Sequence, residues 1–349
     1  METQHILIFR FSAMGDVAMT VPVVYALAKE HPTLRITVVS RPFAKAFFEG
    51  LAENVDFLGI DPKKDFKGLS GLNRLYALLK EKTDGKAYIA DFHNVLRTKY
   101  LRFRFALAGH RTAVINKHKS GKRQLCRKTN KVLRQQPTSF QNYADVLAQL
   151  GWDVQPKFTT IFEHKENSLA KLPYIIGEKK ENEPWIGIAP FAAHKGKMYP
   201  QEKMEEVVRQ LSTHPAHPRI FLFGAGKAEV DIIAQWAEKY ERTICVASWL
   251  KGMQQELILM SHLDTMVSMD SANMHLASLV GTRVVSVWGA THPFCGFLGW
   301  NQKTEDVVQN ETLTCRPCSV FGNKLCHRGD FACMESITPE TIISRLKLT

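Results

Sequence analysis

The stretch from Asp264 to Ala277 constrains this chain most, because it predicts a buried strand that delivers an acid and a hydroxyl to the start of a helix. The apolar strand ends at Asp270 and Ser271, and a helix N-terminus is a favourable place for a diphosphate. A second apolar run, Val284–Trp288, follows Gly281. Strand, helix and strand joined by short connections indicate a parallel α/β sheet, whose ligands bind beyond the carboxyl ends of the strands.

The same alternation occurs in both halves of the chain. We predict strands near residues 6–11, 34–39, 87–91 and 111–115, and again at 185–190, 219–223, 243–247, 264–269 and 283–288. Between Pro156 and Pro184 the pattern loosens and charged residues cluster. The 349 residues therefore predict two Rossmann-like domains, residues 1–165 and 166–349, which face a cleft. The second domain ends in a helix capped by Thr338, with Pro339 at its first position.

Composition excludes several classes of protein. No apolar run has the length of a membrane span, and no secretion signal precedes the first strand, so we expect a cytoplasmic protein. The seven cysteines are too few and too uneven for a secreted disulfide framework. The glycine fingerprint of dinucleotide binding is absent, which disfavours a nicotinamide or flavin enzyme. The chain also has no Asp-x-Asp, so we expect protein cations to replace Mg²⁺ at a diphosphate.

One segment carries the excess positive charge. Residues 92–134 contain thirteen Lys or Arg and no Asp or Glu, whereas the rest of the chain has 33 basic and 34 acidic residues. Such a segment predicts an anionic partner, either a phosphorylated glycolipid, a membrane surface or nucleic acid. The alternative is a solvated loop without a ligand. Within the segment, Leu96, Tyr100, Phe103 and Leu107 form one helical stripe, which we expect to belong to the core.

Two further loops have the residues of a phosphate-handling site. The first strand leaves the sheet through a loop that presents Asp16 at the start of a helix, where the acid could also act only on the helix dipole. The segment from Pro190 to Pro200 places His194, Lys195 and Lys197 before a helix that we expect to have Pro200 as its first residue. These cations could stabilise the charge of a departing diphosphate.

Together these segments resemble the heptosyltransferase family of bacterial lipopolysaccharide core synthesis, which are inverting glycosyltransferases of the GT-B type. The resemblance runs over almost the whole chain and rests on three motifs in order: Gly15, Asp16 and Pro22; Lys197, Tyr199 and Pro200; and Asp270, Ser271, His275, Leu276 and Ala277. The chain departs from the family at Ala272, where a glycine is usual. Ala192 and Ala193 likewise replace hydroxyl residues that help to hold the diphosphate.

The resemblance implies a site and a reaction. Asp16 would be the general base and Lys197 the catalytic cation, in transfer of heptose from ADP-heptose to a lipopolysaccharide inner-core acceptor. The donor-binding residues would be His194, Lys197, Glu229, Asp270, Ser271 and His275. Glu229 is a candidate for the ribose, and His275 could instead be only a structural helix histidine. No cofactor is expected.

The resemblance also suggests an acceptor face and leaves alternatives open. We expect 111–134 to be a mobile loop that faces an anionic glycolipid, with peripheral contact to the inner face of the cytoplasmic membrane. The acceptor-binding candidates are Arg97, Lys117, Lys119, Lys122 and Arg123. Cys315, Cys318, Cys326 and Cys333 have spacing that could close a structural zinc site, or they pack a loop as thiols. Another nucleotide sugar is a second interpretation; a nucleic-acid-binding protein, a more distant one, lacks a readout module, so no nucleic acid is expected.

Overall fold

The structure, a computed structural model, describes residues 4–83 and 85–348. The strands are β1 (His5–Phe9), β2 (Arg35–Ser40), β3 (Val55–Gly59), β4 (Ala87–Asp91), β5 (Arg111–Val114), β6 (Trp185–Ala189), β7 (Arg219–Leu222), β8 (Thr243–Cys245), β9 (Thr265–Met269), β10 (Arg283–Trp288) and β11 (Val307–Gln309). The helices are α1 (Met14–Ala18), α2 (Val21–Glu30), α3 (Lys45–Phe48), α4 (Gly68–Glu81), α5 (Leu96–Leu107), α6 (Lys119–Leu125), α7 (Ser139–Leu150), α8 (Gln201–Ser212), α9 (Lys227–Lys239), α10 (Met253–Ser261), α11 (Ala272–Leu279), α12 (Ala332–Glu335) and α13 (Pro339–Leu346).

The first unit is built on a five-stranded parallel sheet with strand order β3-β2-β1-β4-β5. In the central strand β1, Ile8 is paired with Val38 on one side and Ala90 on the other. Every residue of β1 is buried, because helices cover both faces of a parallel sheet. On one face, α4 and α5 pack Leu75 and Phe105 into a cluster with strand residues such as Phe9.

The second unit is built on a six-stranded parallel sheet with strand order β11-β10-β9-β6-β7-β8. Val267 of β9 is paired with Val285 of β10, so the two strands named first in the sequence argument are neighbours. In β6, Gly187 leaves room for the side chains of Leu263 and Met266, since an added Cβ would lie 2.6 Å from Cδ1 of Leu263. The expected α/β fold class, with two parallel-sheet units, is confirmed.

The chain does not divide into its two compact units at a single point, since each unit contains two separate segments of sequence. The first contains residues up to Lys117 together with Pro137–Glu166, and the second contains His118–Gln136 and the chain from Asn167 onward. The structure thus differs from the predicted division at 165 and 166, because it assigns His118–Gln136 to the second unit. The outer limits of the predicted domains, Met1 and Thr349, lie outside the described residues.

Residues 111–134, the part of the basic segment that we expected to form a loop, differ from it in secondary structure. They contain β5 and the helix α6, and from His118 onward they belong to the second unit. The ammonium of Lys131 donates to the carbonyls of Cys315 and Pro317, at 2.7 and 2.9 Å, and the backbone amide of Gln136 donates to Phe294. These contacts are the physical reason that His118–Gln136 belongs with the second sheet.

Prediction of individual elements succeeded for the long apolar runs. All nine expected strands are present within two residues of their predicted ends, and Thr338 caps α13 by accepting from the amide of Thr341. The sequence argument missed β3 and β11. It was wrong about the helical stripe of α5, because Leu96, Phe103 and Leu107 are 84%, 60% and 70% exposed. Among the residues described, no helix has both the length and the apolar composition needed to cross a membrane.

Candidate active-site residues

Asp16 lies where the chain leaves β1, as the third residue of the short helix α1. Its Oδ2 accepts a hydrogen bond from the amide of Ala13, at 3.1 Å, and lies 2.5 Å from Nη2 of Arg10. The Asp16 side chain is 32% exposed, whereas that of Arg10 is 8% exposed. A guanidinium this close favours the ionised carboxylate, and solvent can reach that carboxylate.

Arg10 is fixed from several sides. Its Nη1 donates to the carbonyl of Phe92 at 2.8 Å, and its guanidinium lies 5.9 Å from the ring centre of Tyr143. The Tyr143 hydroxyl in turn donates to the carbonyl of Asp16 at 3.1 Å. Burial acts to lower the pKa of Arg10, but Tyr143, Asp16 and Asp91 outweigh it, and the net pKa is raised. The sequence argument missed both Arg10 and Tyr143, since neither stands in a recognised motif.

His93 lies beside this pair, just after β4. Its Nδ1 accepts from the amide of Phe11 at 3.4 Å, and its Nε2 is 3.3 Å from the Ser12 hydroxyl. Burial, with help from the charges of Arg10 and Lys117, lowers the pKa of His93 to about 3. The imidazole is therefore neutral and supports the loop that carries Asp16, rather than supplying a second positive charge.

In the second unit, Asp270 stands directly after β9 and is almost fully buried. Its Oδ2 accepts a hydrogen bond from the Thr291 hydroxyl at 2.8 Å and lies 2.9 Å from Nζ of Lys197. Ser271 is the residue before the first turn of α11. The structure thus brings together Lys197 and Asp270, which are 73 positions apart in the sequence, at the carboxyl end of the sheet.

Lys197 is placed by a tight turn from Lys195 to Lys197. The carbonyl of Gly196 accepts from the amide of Ala290 at 2.8 Å, and a Cβ at Gly196 would lie 2.8 Å from the carbonyl oxygen of Gly322. Only glycine fits between the two lysines without moving that backbone. The structure makes Pro200 the residue before α8, so the helix begins at Gln201, one position later than predicted.

Arg316 organises the loop after β10, and the sequence argument missed it. Its buried guanidinium donates to the carbonyls of Trp288, Gly289 and Thr291, at 3.2, 2.7 and 3.1 Å. These bonds fix the backbone of Thr291, whose hydroxyl contacts Asp270. The one local signal was a cation between Cys315 and Pro317 in an otherwise uncharged run, which is typical of a buried, multiply bonded arginine.

The other predicted donor residues, His194, His275, Ser271 and Glu229, have local contacts or positions of their own. His194 is exposed before the Lys195–Lys197 turn, and His275 is buried within α11. The Ser271 hydroxyl is 3.3 Å from that of Ser268. Glu229 accepts from the amide of Ala225 at 2.9 Å, which makes it a cap for the loop before α9.

The predicted acceptor residues are divided between the two units. Arg97 lies on α5 of the first unit, where Lys117 also donates to the carbonyl of Asn94 at 3.5 Å. Lys119, Lys122 and Arg123 lie on α6, which belongs to the second unit. Lys122 is only 8% exposed, because its ammonium packs 4.2 Å from the ring centre of Phe297.

The cysteine-rich loop does not support the zinc alternative. No group of three or more His, Cys, Asp or Glu side chains within residues 4–83 and 85–348 is placed to hold a metal ion. The thiol of Cys318 faces the carbonyl of Ala290 at 3.8 Å, and Cys333 packs in the core of the second unit. Two of the four candidate ligands are therefore engaged in packing.

Comparison with known sequences and folds places the chain in a family. The model of glycosyltransferase family 9 (heptosyltransferase) matches residues 100–327, about two thirds of the chain. The chain belongs to glycosyltransferase family 9. Within this family, lipooligosaccharide heptosyltransferase 2 of Campylobacter jejuni is 28% identical over 134 residues, which is 37% of this chain and 40% of that protein. The chain thus matches less than half the length of this curated relative.

Solved structures share the fold over nearly the whole family 9 chain. The glycosyl transferase family 9 protein of Veillonella parvula superposes with a TM-score of 0.71 at 18% identity, covering 99% of this chain and 96% of that one. Escherichia coli ADP-heptose lps heptosyltransferase II gives 0.66 at 17% identity, covering 98% and 97%. Escherichia coli heptosyltransferase WaaC, solved with ADP-2-deoxy-2-fluoro heptose, gives 0.66 at 16% identity, covering 98% of each chain.

Proposed function

We propose that this family 9 protein is an inverting heptosyltransferase that transfers heptose from ADP-heptose to an inner-core lipopolysaccharide acceptor. The observation that carries the proposal is the Lys197–Asp270 ion pair with the Thr291 hydroxyl, at the carboxyl end of β9 and beside the start of α11. Relatives of the same fold are named for ADP-heptose or were solved with an ADP-heptose analogue, which supports the choice of donor.

On the donor side, different residues bind the diphosphate charge and the sugar hydroxyls. Lys197 and the first amides of α11 stabilise the diphosphate as it departs. Asp270, held by Lys197 and Thr291, accepts hydrogen bonds from hydroxyls of the donor sugar. His194, Ser271 and His275 contribute further polar contacts to the diphosphate and sugar, and Glu229 binds the ribose.

The acceptor half assigns proton transfer to Asp16. Its carboxylate takes the proton of the acceptor hydroxyl, whose oxygen forms a bond to the anomeric carbon. The bond between that carbon and the diphosphate oxygen breaks, and ADP leaves with the electron pair from the opposite face, which inverts the configuration. Arg10 contributes by keeping Asp16 ionised before the reaction and leaving it properly oriented.

The cations of residues 92–134 recognise the anionic acceptor in this proposal. Arg97 and Lys117 bind phosphate or carboxylate groups from the first unit, and Lys119 and Arg123 do so from α6. Lys122 supports α6 through its contact with Phe297. Residues 1–165 serve acceptor binding and 166–349 nucleotide-sugar binding, with His118–Gln136 carried by the second unit.

The decisive experiment is mass-spectrometric detection of sugar transfer to a heptose-free core glycolipid. ADP-heptose is the expected donor, and UDP-, GDP- and ADP-hexoses are run in parallel because Ala192 and Ala193 replace hydroxyl residues at the donor loop. A mass gain of one heptose with ADP-heptose supports donor and reaction class together. Transfer of another sugar would replace the donor assignment, and no product with any donor would contradict the proposed activity.

A further inference from the structure

Helix α5 has two opposite faces, and the structure uses only one of them for packing. Thr98, Leu101 and Phe105 are fully buried, with Leu101 and Phe105 in the core cluster of the first unit. This face fixes the helix against the sheet. The opposite face has no comparable apolar cover, as the exposure of its side chains shows.

The outer face presents three large apolar side chains in a line. Leu96, Phe103 and Leu107 are 84%, 60% and 70% exposed, so they protrude from the helix instead of lining a groove. At 3.6 residues per turn, these positions lie within an arc of about 40°. A protruding stripe of this kind is unusual on a water-facing helix and marks an interaction surface.

Cations flank the stripe on both sides. Lys99 stands on one side, and Arg97 and Arg104 stand on the other, while neither α5 nor the rest of residues 92–134 contains an acid. Arg104 is held in place, because its guanidinium stacks 4.4 Å from the ring centre of Tyr76 and donates to Asn73. The positive charge therefore has a fixed position beside the apolar stripe.

The adjoining helix α4 extends the same surface. Asn73 of α4 accepts hydrogen bonds from Tyr100 and Arg104 of α5, so the two helices lie side by side. One turn before Asn73, Leu69 is 62% exposed, and it is preceded by the exposed residues Lys63, Lys64, Asp65 and Lys67, whose net charge is positive. The apolar and basic surface thus continues across the beginnings of both helices.

We propose that α5 docks the first unit on an anionic lipid bilayer, with Leu96, Phe103 and Leu107 among the acyl chains and with Lys99 and Arg104 against lipid phosphates. This is the arrangement of an interfacial amphipathic helix, in which apolar burial and attraction to anionic headgroups act together. A second copy of the chain fits the surface poorly, because a two-fold contact would bring the same cations together. The biological use of the docking rests on the proposed function, whose acceptor is lipid-linked.

The experiment is vesicle co-sedimentation of the full chain, without acceptor or donor. We expect binding to vesicles of phosphatidylcholine with phosphatidylglycerol, weak binding to phosphatidylcholine alone, and loss of binding at high salt. The double variant Leu96→Ser with Phe103→Ser should bind about tenfold more weakly or worse. Its matched control is Leu325→Ser with Tyr174→Ser, which removes a leucine and an aromatic residue that are 89% and 86% exposed in the second unit.

A charge pair tests the electrostatic half. Lys99→Glu should weaken binding to anionic vesicles, whereas Lys251→Glu, at an exposed lysine of the second unit, should not. Equal vesicle binding by the parent and the Leu96–Phe103 double variant would overturn the proposal. Absence of parent binding to anionic vesicles would also overturn the proposal. In that case, loss of self-association in the double variant, measured by sedimentation, would identify a second copy of the chain as the occupant of the surface.

Transfer assays separate this inference from the proposed function. The Leu96–Phe103 double variant should keep full transfer to a deacylated, water-soluble acceptor and lose transfer to the acceptor embedded in vesicles. If neither protein transfers sugar to either acceptor, the proposed function fails, while vesicle binding still decides the docking role of α5. Equal transfer by both proteins to the embedded acceptor would contradict the docking role alone.

Discussion

The guanidinium of Arg10 lies 2.5 Å from the Asp16 carboxylate, and the two side chains differ fourfold in exposure. Arg10 is buried and donates a hydrogen bond to the carbonyl of Phe92, so its guanidinium is held in place beside the partly exposed Asp16. The Asp16 carboxylate is therefore partly exposed to solvent and held in position beside a permanent positive charge. This geometry suits a base that must be ionised before its substrate arrives.

Replacement of Arg10 should therefore change the pH dependence of transfer. In Arg10→Met, Asp16 loses its cation and is protonated more readily, so the acid limb of the kcat/KM profile should move to higher pH. Arg10→Lys keeps the charge and should move the limb less. An unchanged acid limb in Arg10→Met, measured on protein whose circular dichroism matches the parent, would contradict the role given to this pair.

Asp16→Asn should abolish transfer and leave donor binding intact. An amide cannot accept the proton, and loss of a general base costs about 10²- to 10⁴-fold in rate. The measurement is kcat for transfer, together with calorimetric affinity for ADP. Asp145→Asn, on the exposed side of α7 in the same unit, is the matched control and should keep both values. Undiminished kcat in Asp16→Asn would remove the proposed base.

Thr291→Val tests the contact between the β10 loop and Asp270. The substitution keeps the side-chain volume and removes the hydroxyl that donates to Oδ2, so it should weaken ADP-sugar binding by about tenfold, the equivalent of one hydrogen bond to a charged group. Thr282→Val is the matched control. Thr282, which directly precedes β10, is also buried, and its hydroxyl donates to the carbonyl of Met260. Equal donor affinities in the two variants would mean that the Thr291 hydroxyl has only a structural role.

Elements were predicted correctly from the sequence where a local pattern of apolar residues was enough to define them. Runs such as Val284–Trp288 were recognisable because burial on both faces favours apolar residues, and the one polar side chain, Ser286, is buried and accepts a hydrogen bond from the Trp288 indole. The edge strands β3 and β11 were missed, since Val55–Gly59 is partly exposed and Val307–Gln309 is only three residues long. The helix α5 was identified, but its two apolar stripes gave the same periodicity and the exposed one was chosen as core.

Residues of the candidate site could be named from the sequence only where each one stood in a recognisable motif. Asp16, Lys197 and Asp270 lie in the segments that follow β1, β6 and β9, and the partnership of Lys197 with Asp270 follows from the strand order, in which β6 and β9 are neighbours. Arg316 and Lys131 could not be found in this way. Arg316 acts through backbone carbonyls more than 20 positions away, and Lys131 binds carbonyls 184 and 186 positions away. Backbone carbonyls have no signature in sequence, so such contacts need the fold.

Lys197 and Asp270 provide a test that separates stability from donor binding. Lys197→Ala leaves the buried carboxylate without its cation and should lower the free energy of unfolding by about 3–5 kcal/mol. The double variant Lys197→Met with Asp270→Asn removes both charges and should recover most of that loss. Both variants should fail to bind ADP-heptose at concentrations that saturate the parent. Donor binding by the stable double variant, measured by calorimetry, would rule out the proposed diphosphate and sugar contacts.

His93 predicts a pH dependence of stability with a definite sign. Because its pKa is about 3 in the folded protein, against an ordinary value of 6.5, the unfolded chain binds a proton between those values that the folded chain does not. The His93 contribution is thus complete above pH 6.5 and is lost as the pH falls towards 3, with a slope of about 1.4 kcal/mol per pH unit. Urea denaturation between pH 4 and 7 should show a shallower acid loss in His93→Gln than in the parent. His327→Gln, at an exposed histidine, is the substitution control. Parallel curves for the parent and His93→Gln would contradict the neutral, buried state of His93, and with it the assignment of the acid limb of activity to Asp16 alone.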